Sequence, residues 1–136
     1  MLMTENFYLE NGLFRMNTSL LGCSFTELKK HIGHLPKPKI FPYWGNALYH
    51  VKHKYHHLLL DFFFEEDALK IVGYDEMHYF NDTLVGTAEQ QFGEGLMLGK
   101  TFYRWEFPEQ KTTFEMYGEL MLETDEHCFR QRYVRW

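Results

Sequence analysis

Six of the eight histidines lie between His31 and His57, four of them in His50-Val51-Lys52-His53-Lys54-Tyr55-His56-His57. Imidazoles on paired strands, with Asp61 adding a carboxylate oxygen, are ligand types suited to zinc or nickel. Strand residues alternate sides, so His56 and His57 point apart and cannot share one ion. The stretch is expected to be a weakly polar exposed strand that holds no metal.

Nucleophilic chemistry meets the same geometric limit. Cys128 follows His127, but neighbours on a strand face apart, so this imidazole cannot activate this thiol. Cys23 stands just before a helix start, where a thiol pKa can fall, yet it reads as a small buried thiol. Asp61, Glu65, Glu66 and Asp67 offer carboxylates for acid-base work, and a run of this kind ordinarily forms a solvated turn. The Gly93 to Thr101 stretch ends in Gly99-Lys100-Thr101, but five residues separate Gly93 from Gly99 where a phosphate loop has four. It also leads into a strand, whereas a phosphate loop opens a helix. These residues predict no catalytic site and no cofactor.

The elements that must position these side chains are short. Asn11-Gly12 between Phe7-Tyr8-Leu9 and Leu13-Phe14 is a hairpin signal, because both residues tolerate positive φ. Ser24 and Glu27 form a capping box for a helix whose Phe25, Leu28 and Ile32 share a face and whose stop is Gly33. His34 to Pro42 carries three of the four prolines and reads as an extended crossing without pairing. The β-branched and aromatic content and the alternation from Trp44 to Phe64 predict two antiparallel strands with a tight turn near His53-Lys54, which sets His50 opposite His57. Tyr49, Val51, Leu58, Leu60, Phe62 and Phe64 then face the core, and Leu48, His50, His57, Leu59, Asp61 and Phe63 face away. A third strand is expected from Leu69 to Tyr74. A second helix runs from about Thr83 to Phe92, with caps at Asn81-Asp82-Thr83 and a glycine stop. Lys100 to Phe107 and Thr112 to Tyr117 pair around Pro108-Glu109-Gln110-Lys111, which sets Arg104 against Glu115. Glu119 to Glu123 and His127 to Trp136 complete an antiparallel sheet.

The chain has 136 residues, 45% hydrophobic and 18% aromatic, well away from the composition of disorder. Its net charge of −5 argues against general nucleic-acid binding and favours a basic protein partner. Two cysteines are too few for a disulfide scaffold. Neither a secretory start nor a run of about 18 apolar residues is visible, so a cytoplasmic, membrane-free protein is expected.

Val85, Ala88, Phe92 and Gly93 repeat the skeleton of Phe25, Leu28, Ile32 and Gly33. The expectation is an α+β fold: one antiparallel sheet with short helices on one face, forming one domain over 1–136 with an internal repeat of 17–76 and 77–136. Gly22-Cys23-Ser24-Phe25-Thr26-Glu27-Leu28, Gly33 and Pro36, with a second copy at Gly86 to Gly93, resemble the tandem units of the β-lactamase inhibitor protein. They are also similar to the single unit of small outer-membrane assembly lipoproteins. The resemblance implies a sheet face that grips a target enzyme through aromatic and charged side chains. Contact candidates on that face are His50, His57, Asp61, Phe63, Arg104, Glu115 and Tyr117. In size, charge and fold the chain is similar to bacterial immunity proteins, which cover the active site of a cognate toxin. The expected function is thus a non-enzymatic inhibitor or immunity protein directed at a basic toxin or enzyme. A small-ligand or metal-binding domain, or a homodimer, is the alternative.

Overall fold

The computed structural model describes residues 6–41, 48–79, 82–121 and 126–136. The strand start expected at Trp44, the Pro42 end of the connector, the Asn81 cap and the strand end expected at Glu123 lie outside these residues.

Asn11 and Gly12 both adopt positive φ, 52° and 85°, the backbone required by a two-residue hairpin turn of type I′. They join β1 (Phe7–Glu10) to β2 (Leu13–Met16) with Glu10 opposite Leu13. Helix α1 (Phe25–Ile32) has both halves of its capping box: the Ser24 hydroxyl accepts the Glu27 amide proton, and Glu27 Oε1 accepts that of Ser24, each at 3.1 Å. Gly33 ends the helix at φ 88°. Asp67 accepts the Phe25 amide proton at 3.1 Å, so part of the acidic turn serves as an anion at the helix N-terminus.

The main sheet contains β3 (Lys39–Phe41), β4 (Leu48–Tyr55), β5 (Leu58–Glu65), β6 (Ala68–Tyr79), β7 (Leu96–Gly99), β8 (Phe102–Phe107), β9 (Thr112–Met121) and β10 (Glu126–Arg135). Helix α2 (Asp82–Phe92) falls between β6 and β7. The spatial order is β3-β4-β5-β6-β10-β9-β8-β7, antiparallel throughout. Each half of the chain therefore supplies a helix followed by a four-stranded meander. The last strands of the two meanders, β6 and β10, meet in the middle of the sheet.

The fold is α+β and mostly antiparallel, but its strands do not form one sheet. The β1–β2 hairpin stands apart as a second, two-stranded sheet. Its Phe7, Leu13, Phe14 and Met16 are buried, so the hairpin lies on the main sheet instead of extending its edge. Together with α1 and α2 it covers one face. The core between them contains Leu28, Val85 and Ala88 from the helices and Leu60, Phe62, Phe64, Val72, Phe114, Met116 and Phe129 from the sheet. Burying each large apolar side chain is worth roughly 1.5–3 kcal/mol.

Several boundaries depart from expectation. Lys39–Phe41 is not a bare crossing: it pairs with β4, since an edge strand tolerates the prolines flanking it. The β4–β5 turn lies at His56-His57, with Tyr55 opposite Leu58 and His56 at φ 54°. His50 consequently faces Phe63, not His57. The longer pairing adds Val51–Phe62 and Lys52–Asp61 contacts across the strands. The displacement is an even number of residues, so the side chains that stay in the paired strands keep their side of the pleat. Tyr49, expected in the core, is nevertheless exposed, Leu48, expected to face away, is buried, and His57 passes into the turn. Leu96–Gly99 is a strand that the glycines around it concealed, and β6 runs on to Tyr79.

Candidate functional site

On the face opposite the core, one row of directly opposed residues crosses six strands. Lys52 lies across from Asp61, Asp61 from Gly73, Gly73 from Arg132, Arg132 from Glu115, and Glu115 from Arg104. The period-2 pleat delivers all of them to the same side. The row alternates in charge and is broken at its centre by a glycine, which leaves no side chain between Asp61 and Arg132.

Ion pairs run along and beside this row. Glu115, only 7% exposed in its side chain, accepts from Arg132 Nε at 2.7 Å and from Arg104 Nε and Nη2 at 3.1 and 3.0 Å. Two guanidinium groups on one buried carboxylate compensate its desolvation. On the other side of Gly73, His50 Nε2 and Asp61 Oδ1 are 2.6 Å apart, and Lys52 and Arg130 both engage Asp75. Burial raises the Asp61 carboxyl above its ordinary pKa, outweighing the His50 hydrogen bond that lowers it. Burial also raises Asp75, but hydrogen bonds and charges from Lys52 and Arg130 prevail and hold it below the ordinary value. The Asp75 hydrogen bond raises Lys52.

Aromatic rings brace the charged groups. The His50 ring stacks on Phe63 at 4.6 Å, Phe41 meets Phe63 edge-on at 5.2 Å, and the Arg132 guanidinium lies 4.5 Å from the Tyr117 ring centre. Between the two groups lies a depression of about 300 Å³, lined by His50, Asp61, Phe63, Gly73, Tyr117 and Arg132 among others.

Of the residues predicted for this face, His50, Asp61, Phe63, Arg104, Glu115 and Tyr117 lie on it, with Arg104 and Glu115 paired. His57 belongs to the β4–β5 turn, outside the paired strands. Lys52, Gly73, Asp75, Arg130 and Arg132 complete the arrangement and were missed. Lys52 stands two residues after His50 on β4, so period-2 counting from His50 reaches it. Arg130 and Arg132 share one side of β10, a strand on which no contact residue was predicted. Asp75 lay past the expected end of its strand.

Chemically, the face presents fixed guanidinium and carboxylate groups beside half-buried rings. Among the described residues, no Ser, Thr or Cys lines the depression. Among the described residues no group of three His, Cys, Asp or Glu side chains is arranged to hold a metal ion. Cys23 lies elsewhere, its thiol pushed up to about 11 by burial and the nearby Glu27 and Asp67 charges. The side chains of His127 and Cys128 are outside those described. No helix among the described residues is long and apolar enough to cross a membrane.

Comparison with protein-family models, curated proteins and solved structures finds no match.

Proposed function

We propose that the chain is a non-enzymatic protein-binding module, an inhibitor or immunity protein that covers a cognate toxin or enzyme with the outer face of its main sheet. The observation that carries this reading is the row from Lys52 to Arg104, with its charges already held in place and aromatic rings beside it. Arginine and tyrosine dominate the energetics of protein interfaces, and side chains fixed before contact lose less entropy on binding.

Charge refines the partner. Lys52, Arg104, Arg130 and Arg132 interleave with Asp61, Asp75 and Glu115 on this face, whereas the whole chain carries −5. A basic partner is steered in by the overall charge, and its contact surface should carry both signs to match the row. The test is capture of partners by tagged protein at low and moderate salt, repeated with Phe63→Ala/Tyr117→Ala and Arg104→Ala. A stoichiometric partner lost by these variants while the melting temperature falls by no more than a few degrees supports the reading. Retention undiminished by the variants, or loss accompanied by a large fall in melting temperature, refutes it.

A second reading, a small-ligand site, draws on the depression of about 300 Å³ at Gly73, which is at the lower end of ligand-pocket sizes. Gly73→Val would fill it and abolish such binding, while leaving a protein contact through Arg104 and Tyr117 largely intact.

A further inference from the structure

The two edges of the main sheet differ in how they are protected. Along β3, Lys37, Pro38 and Lys39 place charge and a missing donor at the exposed strand, the devices by which sheets block edge-to-edge association. Within β7 itself there is no charge or proline, and its nearest charges, Glu94 and Lys100, lie beyond its two ends: Leu96, Met97 and Leu98 are 52%, 65% and 54% exposed. A register shift between Met97 and Gly99 against β8 is the sole irregularity on this edge.

The sequence here is Glu94-Gly95-Leu96-Met97-Leu98-Gly99-Lys100, which reads the same in both directions about Met97 except at its charged ends. Antiparallel pairing about a two-fold axis sets each residue against its mirror position. With Met97 on the axis, Leu96 meets Leu98 of the second copy, Gly95 meets Gly99, and Glu94 meets Lys100. A palindrome with opposite charges at its two ends is self-complementary in this register. Glu94 and Lys100 are both exposed, so neither must leave a buried position to pair.

From this charge complementarity and the contrast between the edges, we infer that β7 pairs with β7 of a second copy of the chain, giving an isologous dimer with a continuous sheet across the two-fold. The dimer uses the edge and leaves the row centred on Gly73 accessible, so it stands independently of the proposed function. Both outer faces then point the same way, since antiparallel neighbours in one sheet are related by an axis perpendicular to it.

Sedimentation equilibrium of the full chain tests the inference. At roughly 100 µM, a concentration that populates micromolar complexes, the wild type is expected at twice the 16.5 kDa chain mass. Glu94→Lys or Lys100→Glu alone sets like charges opposite each other at two symmetric places. Each should raise the dissociation constant roughly tenfold. The double exchange, Glu94→Lys with Lys100→Glu, should restore the wild-type value. Met97→Lys, at the axis, should yield a monomer with an unaltered far-ultraviolet circular dichroism spectrum. A monomeric wild type overturns the inference, as does a dimer indifferent to the single exchanges or a double exchange that fails to restore association.

Discussion

The side-chain carbonyl of Gln131 accepts the Phe14 amide proton at 2.7 Å, bridging 117 positions of sequence. Its amide nitrogen donates to the Gly12 carbonyl at 2.9 Å, and the neighbouring Tyr133 hydroxyl donates to the Phe14 carbonyl at 2.8 Å. The two bonds to Phe14 serve buried backbone groups of the β1–β2 hairpin, and the one to Gly12 a half-buried carbonyl at its turn. The hairpin is therefore attached to β10 by specific polar contacts as well as by Phe7 and Phe14 packing.

Gln131→Leu should destabilise the protein by about 1–3 kcal/mol, because it strands the buried Phe14 donor and removes a bond to the half-buried Gly12 carbonyl. Tyr133→Phe strands only an acceptor and should cost about 1–2 kcal/mol. Urea unfolding checks both, and a Gln131→Leu variant as stable as the wild type would mean that the hairpin is held by apolar contact alone.

Gly95 and Gly86 should respond to alanine in opposite directions. A Cβ at position 95 would lie 2.6 Å from the Trp105 indole, whereas at position 86, inside α2, it would meet nothing within 4 Å. Trp105 Nε1 donates to the Gly93 carbonyl at 2.9 Å, which ties the indole in place. Gly95→Ala should therefore cost about 1–3 kcal/mol through overpacking. Gly86→Ala should gain roughly 0.5–1 kcal/mol from helix propensity. Thermal melting of the two variants side by side decides the matter.

Local signals in the sequence were legible where neighbouring residues determine the conformation. Asn11-Gly12, the Ser24–Glu27 capping box and the Arg104–Glu115 pairing all depend on residues close in the chain or across a tight turn. Less could be read where long-range contacts decide. The β4–β5 turn moved to His56-His57 because cross-strand pairing, not local turn preference, selects the register. The pairing of β6 with β10 joins distant segments, and period-2 counting cannot say which strands become neighbours. That pairing places Gly73 beside Arg132, so the centre of the row emerged only from the three-dimensional arrangement.

Asp75 and Asp61 should give opposite dependences of stability on pH. Asp75 has a folded pKa below its ordinary 3.8, so its ion contacts contribute fully above pH 3.8 and are lost as pH falls through the lower folded value. Asp61 is raised above 3.8, chiefly by burial. Its contribution is present below pH 3.8 and is lost as pH rises through the raised value. Asp75→Asn should consequently depress the melting temperature more at about pH 7 than at about pH 2.5, and Asp61→Asn should show the reverse bias. Equal depressions at both pH values would contradict the assignment of these two carboxyls.

Arg104 and Arg132 share one carboxylate, Glu115, at 3.0 and 2.7 Å, so their substitutions should not be additive. Removing either guanidinium leaves Glu115, 7% exposed, with the other. Each single Arg→Ala should then cost only about 0.5–1.5 kcal/mol. The double variant leaves a nearly buried carboxylate without either partner and should exceed the sum of the singles by about 1–2 kcal/mol. Glu115→Gln in the double-variant background should recover part of that excess, since the neutral amide carries no buried charge. Urea unfolding of the four proteins of the cycle measures the coupling. A sum that is additive within about 0.5 kcal/mol would mean that water, not the second arginine, compensates Glu115, and that the row is less firmly pre-arranged than its geometry indicates.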